Sequence, residues 1–192
     1  MSQKAIFLSA SVPLINRGTY HETANAFLIQ CAVREFVIAV IRNYRIVWGG
    51  HPAITPMVWS ICEDLGVDYS QNVILYQSMF FEEQFPEENE RFKNVIFTEA
   101  IENDREKSLR SLREKMLSRD DLVAAVFIGG MEGVEDEYSI FKHFHTSALA
   151  LPVASPGGAS LELALKLGTS KPDDLVNVDF SSLFHKFIKS LP

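Results

Sequence analysis

Stretches of nearly unbroken Val, Ile, Leu and Phe alternate along this chain with longer stretches in which apolar residues recur every three or four positions. A continuous apolar run reads as a strand buried on both faces, and the longer period as a helix with one apolar side. The pattern predicts strands at 5–9, 45–48, 73–76, 94–98, 122–128 and 149–154. Helices are predicted at about 22–43, 53–65, 104–118, 134–144 and 159–167, with an acidic segment at 82–91. Alternating segments of these two kinds build an α/β sandwich, doubly wound, with a mainly parallel sheet of about six strands and helices on both faces.

Two helices refine that picture. Phe180, Leu183, Phe184, Phe187 and Ile188 fall at helical spacing and predict a C-terminal extension, 171–192, packed on a main domain formed by 1–170. In the helix at 22–43, Phe27, Leu28, Ile29, Ala32, Val33, Phe36, Val37, Ile38, Val40 and Ile41 wrap most of the circumference. One sheet-facing stripe needs fewer, so this helix is expected to be buried twice, under the C-terminal helix or in a homodimer. Both readings are open at this stage.

The strand ends carry the candidate chemistry. Three apolar runs close on a Gly-Gly pair, in RIVWGG, VAAVFIGG and LPVASPGG. A glycine pair lets the backbone turn sharply and lets a ligand approach its N–H groups, and in open α/β sheets ligands bind outside the carboxyl ends of the strands. Ser9 and Ser11 end the first strand, with Arg17 and Tyr20 in the loop after it; the hydroxyls suit a phosphate or ribose oxygen and the guanidinium a phosphate. After the second strand come Gly49, Gly50, His51 and Thr55, where a helix start favours an anion and His51 caps the loop or bonds a ligand. Gln77 ends the third strand.

Gly129 and Gly130 are followed by Glu132, Glu135, Asp136 and Glu137. Carboxylates in a first helical turn offset the helix dipole, and one that faces a pocket would accept hydrogen bonds from ribose hydroxyls; Glu132 is the choice by position. Ser155, Gly157, Gly158 and Ser160 form the expected anion cradle, with Glu162 one turn into the helix behind them. Neither a Walker A loop, a GxGxxG fingerprint nor a GxSxG elbow is present, and no spacing suggests a metal site or a bound cofactor.

Composition narrows the partners. The 192 residues carry 18 basic and 25 acidic side chains, a net charge of −7 with no basic block, which argues against non-specific nucleic-acid binding but not against one local anion site. Cys31 and Cys62 lie in helical patterns without CxxC spacing and read as thiols of a reducing compartment. The N-terminal segment reads as a first strand and no apolar run approaches the about 18 residues of a membrane span, so a cytoplasmic protein without a membrane partner is expected.

Taken in order, IFLSASVP, IVWGGHPAITP, VFIGGMEGVEDEYSIF and LPVASPGGAS resemble the strand-end signatures of the SLOG superfamily, over about residues 5–167. The resemblance implies a Rossmann-like fold and a pocket for a nucleotide-derived, ADP-ribose-like molecule, in a sensor of a signalling or antiphage defence system with an effector protein partner. The family's enzymatic branch, the Lonely Guy phosphoribohydrolases, carries PGGxGTxxE. Here Pro156-Gly157-Gly158 is followed by Ala159-Ser160-Leu161-Glu162, so the glutamate arrives one residue early and is rotated by about 100° on a helix. A binding module is therefore the leading expectation. The alternative is an N-glycosidic hydrolase that uses Glu132 or Glu162.

Overall fold

The computed structural model describes residues 3–66, 72–168 and 171–191. Its strands are β1 (Ala5–Ser11), β2 (Arg45–Trp48), β3 (Val73–Ser78), β4 (Val95–Thr98), β5 (Leu122–Gly129) and β6 (Leu149–Val153). They form one sheet in the order β4-β3-β2-β1-β5-β6, with every neighbouring pair parallel. The helices are α1 (Tyr20–Thr23), α2 (Ala26–Val40), α3 (Thr55–Asp64), α4 (Arg105–Leu117), α5 (Gly133–Phe144), α6 (Ala159–Leu167) and α7 (Phe180–Lys189). This is the doubly wound arrangement that the alternation predicts, in the Rossmann-like form that the resemblance implies.

Side chains alternate across each strand, which explains why the runs are apolar throughout. Ile6, Leu8, Ile46, Trp48, Ala124, Val126 and Ile128 enter one core with α2, α3 and α7. Ala5, Phe7, Val47, Ile74, Tyr76, Ala125 and Phe127 enter a second core with α4, α5 and α6. Phe7 and Phe127 meet edge to face in that second core, with ring centroids 6.1 Å apart.

The predicted helix at 22–43 is divided. Ala24 turns to extended backbone and ends α1, and the Asn25 side chain accepts a hydrogen bond from Leu28 N at 3.1 Å and so caps α2. Ile29, Ala32, Val33, Phe36, Val37 and Val40 are the buried face of α2. On α7, Phe180, Phe184 and Phe187 are buried at the predicted spacing, and Phe184 meets Phe36 edge to face at 5.4 Å. The C-terminal helix thus covers part of the apolar circumference of α2, while Phe27 at its first turn stays exposed. The acidic segment forms two short 3-10 helices, Met79–Gln84 and Glu87–Arg91. Cys31 and Cys62 are unpaired, and burial pushes the Cys62 thiol up to about 12, so it stays protonated. Among the described residues, no helix is long and apolar enough to cross a membrane.

Two features of the topology place the site. The strand order reverses between β1 and β5, because the chain winds outward through β2, β3 and β4 and then returns to the other side of β1. Along β1, pairing with β2 ends at Leu8↔Trp48, whereas pairing with β5 continues to Ser11↔Gly129. Ser9, Ala10 and Ser11 therefore border an opening where β2 has already turned away. Such a switch point is where open α/β sheets hold their ligands.

Candidate functional site

A cavity of about 180 Å³ occupies that opening. Its walls are the end of β1, the turn after β2, one face of α4 and the first turns of α5. Of the residues expected at a site, it gathers Ser9, Ser11, Arg17, Gly49, Gly50 and His51. Sequence reasoning did not single out Arg105, Arg113, Gly133 or Glu137, which complete it.

The turn after β2 is built around Gly50. Its φ of +69° is the left-handed region, and a Cβ there would overlap Gln77 Nε2 and stand 2.9 Å from Leu75 Cδ1. Gln77 is buried and donates from Nε2 to Gly49 O at 3.1 Å, so it holds the turn from beneath and does not line the cavity. Thr55 has the same kind of role: its hydroxyl donates to His51 O at 3.0 Å and accepts from His51 N at 3.3 Å. His51 Nδ1 accepts from Ala53 N at 3.2 Å, which leaves Nε2 to carry the proton of the neutral ring. Burial, and then the charge of Arg17, lower the His51 pKa, so the ring is neutral at pH 7 and offers an N–H donor.

Opposite this turn stand three arginines. Arg105 and Arg113 are eight residues apart on α4, with Leu109 between them, so all three lie on one helical stripe that faces the cavity. Arg17 reaches in from the loop after β1 and pairs with Glu132. Arg113 is the least exposed, at 13%, and is held by Asp136 at 3.0 Å and by Glu137 at 3.6 Å. It passes so close to α5 that a Cβ at Gly133 would overlap its Nη2. Glycine at 133 is needed here for close approach, since its backbone φ is not in the left-handed region.

Glu137 joins the two sides. Its side chain is 19% exposed, accepts a hydrogen bond from Ser9, and lies against Arg113. Burial raises its pKa; the charge of Arg113 and the Ser9 hydroxyl oppose the rise without cancelling it. The cavity therefore combines three guanidinium groups with one carboxyl whose pKa burial raises, in a chain whose net charge is −7.

The other expected residues lie outside this lining. Gly130 N donates to Ser11 O at 2.8 Å, and Gly129 N donates to Ser160 Oγ at 3.2 Å. Ser160 Oγ in turn donates to Val153 O at 2.6 Å, and Ser155 Oγ to Asn177 O at 2.6 Å. Gly158 N donates to Thr23 Oγ1 at 3.1 Å, Gly157 N to Ala154 O at 2.9 Å and Ala159 N to Gly130 O at 3.1 Å. A Cβ at Gly157 would overlap Thr23 O. In this structure the Gly158 and Ala159 N–H groups of SPGGAS are thus spent on a joint between α1, α6 and the turn after β5. Glu132 and Glu162 do meet, with Tyr20, around a separate hollow of about 100 Å³ on the far side of the first turn of α5. Glu132 is 52% exposed there. Among the described residues, no group of His, Cys, Asp or Glu is arranged to hold a metal ion.

The model of the SLOG cluster3 family matches residues 19–188. The chain belongs to that family. The match runs from Thr19, two residues after Arg17, to Ile188 in α7, so the SLOG unit here includes the helix that covers α2. Membership fits a nucleotide-related role, in binding or in modification. No curated protein and no solved structure matches the chain.

Proposed function

We propose that this SLOG chain binds a nucleotide-derived small molecule, of the ADP-ribose or cyclic ADP-ribose type, as the sensor module of a signalling or defence system. The observation that carries the reading is the convergence of Arg17, Arg105 and Arg113 on a switch-point cavity in an otherwise acidic chain. Guanidinium groups bind phosphate by paired, charge-assisted hydrogen bonds. The Ser9–Glu137 pair supplies the acceptor that ribose hydroxyls need, in the role first considered for Glu132. A cleft for a drug-sized ligand measures about 300–1,000 Å³, so this cavity seats one end of such a molecule and the rest lies along the open mouth. Calorimetric titration with ADP-ribose, its cyclic derivatives, NAD and nucleoside monophosphates tests the reading. Binding by one of them, lost in Arg113→Ala, supports it; no heat from any of them at millimolar concentration overturns it.

A second reading, N-glycosidic hydrolysis, is favoured by Glu137 alone. A carboxyl with a raised pKa beside a serine hydroxyl can take or give a proton, or stabilise a sugar cation. Chromatography of the same compounds after incubation separates the two readings. Turnover lost in Glu137→Gln with binding retained makes the chain an enzyme, and intact ligand throughout leaves it a binding module.

A further inference from the structure

We infer that the Arg17–Glu132 ion pair is an autoinhibitory latch: without a ligand it ties the strap of residues 12–19 to the start of α5 and occupies the guanidinium that an incoming anion needs. The inference rests on the reading of the cavity as a nucleotide site and adds how that site is controlled.

The strap is fixed at its ends and loosely held between them. Before it, Ser11 O accepts from Gly130 N at 2.8 Å; after it, in α1, Thr23 Oγ1 accepts from Gly158 N at 3.1 Å. In the middle, the backbone bond from Arg17 N to Leu14 O at 3.1 Å is local, and Leu14 and Ile15 are exposed. The ion pair of Arg17 with Glu132 is what ties this stretch to another element.

Glu132 is free to serve in this way. It occupies the N-cap position of α5, yet its side chain makes no capping bond, so releasing it from Arg17 costs the helix no cap. Arg17 is 34% exposed and Glu132 is 52% exposed. A solvated pair of this kind shifts an equilibrium by only about two- to fivefold, and a phosphate that offers two oxygens to the guanidinium displaces the carboxylate. Arg113 differs: it is shielded and held by both Asp136 and Glu137, so it stays in place.

The surroundings of Glu132 favour reclosure. Glu132, Glu135 and Glu162 line the hollow beside Tyr20, where Lys166 is the one cation in the lining and is already paired with Glu135. Burial first, and then the charges of Glu162 and Glu135, raise the Tyr20 pKa, in keeping with a negative field in the hollow. Without Arg17, Glu132 adds to that field; when Arg17 returns, the excess is relieved. Arg17 thus has two destinations, a ligand anion in the cavity or Glu132 at its edge, and the ligand must compete with the second for the first.

The test is a double-mutant cycle on the full chain, read by calorimetry with ADP-ribose and with inorganic pyrophosphate. Glu132→Gln is expected to tighten binding about two- to fivefold, and Arg17→Ala to weaken it about tenfold or more. In the double variant, Glu132→Gln should bring no gain over Arg17→Ala, because no guanidinium remains to be released. A gain of the same size in the Arg17→Ala background overturns the latch, since Glu132 would then act only as a negative charge near the site. Unchanged or weaker binding in Glu132→Gln, or undiminished binding in Arg17→Ala, overturns it too. ADP-ribose binding with any of these results leaves the nucleotide reading standing. Pyrophosphate binding without binding of ADP-ribose, NAD or nucleoside monophosphates overturns the nucleotide reading, and the cycle is then read with pyrophosphate; no binding of any of them overturns both. Where Arg17→Ala abolishes binding altogether, hydrogen exchange without ligand decides. The Arg17 amide is expected to exchange about two- to fivefold faster in Glu132→Gln, while the amides of Asn25 and Gly158, bonded to Pro156 O and Thr23 Oγ1, keep their wild-type rates. An unchanged rate at Arg17, or an equal acceleration at all three amides, overturns the latch.

Discussion

Replacing Glu137 with glutamine separates what this residue does for the fold from what it does for a ligand. Glutamine keeps the shape and keeps an acceptor for the Ser9 hydroxyl. Arg113 loses a partner at 3.6 Å but keeps Asp136 at 3.0 Å, so no charge is orphaned. The expected change in stability at pH 7 is therefore within about 1 kcal/mol. Its sign follows from the raised pKa of Glu137: the folded state favours the protonated carboxyl, so the contribution of the wild-type residue is full below the ordinary value of 4.5 and is lost as pH rises through the folded-state pKa. Urea melts from pH 4 to pH 8 should show Glu137→Gln gaining on the wild type as pH increases. Ligand affinity should move the other way, because a charged acceptor for ribose hydroxyls is worth about 1.5–3 kcal/mol, or about 10- to 150-fold. A wild type that gains on the variant as pH rises would refute the reasoning, since attraction by Arg113 would then outweigh burial. Unchanged affinity would remove Glu137 from the ligand's contacts.

Other changes test the scaffold. Gly50→Ala places a Cβ against Gln77 and Leu75 at a left-handed backbone, and should cost about 2–4 kcal/mol in urea denaturation together with the seat of His51. Phe184→Ala removes a fully buried ring from the face of α2 and should cost about 3–5 kcal/mol, with faster hydrogen exchange along α7 as the local signature. Glu102→Gly relieves a non-glycine φ of +51° before α4 and should be neutral or stabilising by about 1 kcal/mol in a thermal melt, although it gives up the pair with Lys107.

The sheet was legible because both of its faces are covered: alternating core contacts made every strand a continuous apolar run, and α7 announced itself through Phe180, Phe184 and Phe187. The break at Asn25 was not legible, because the apolar period runs through it and only the cap reveals the new start. One wall of the site, Ser9 to Arg17 and Gly49 to His51, follows from strand ends in the sequence. The other wall follows from packing. Arg105 and Arg113 sit on a helix that reads as solvated and charged, and nothing local tells which of its faces meets the end of β1. Glu137 lies within a run of acidic residues, and only the rotation of α5 separates it from Glu132. SPGGAS illustrates the reverse case: its glycines meet the requirement of a close backbone approach, and what approaches is Thr23 at Gly157 and the Gly129–Gly130 turn at Gly158.

That joint has a consequence for the order of assembly. The strap that bears Arg17 is held at one end by Ser11 O on Gly130 N and at the other by Thr23 Oγ1 on Gly158 N, a contact that spans 135 positions of the chain. The central strand, β1, likewise waits for β5 before its second edge is paired. Long-range closures of this kind come late, because their loop entropy must be overcome before they add stability. During synthesis, the strap would stay loosely held until Gly158 has left the ribosome, so the pocket should be among the later parts of this domain to acquire its shape.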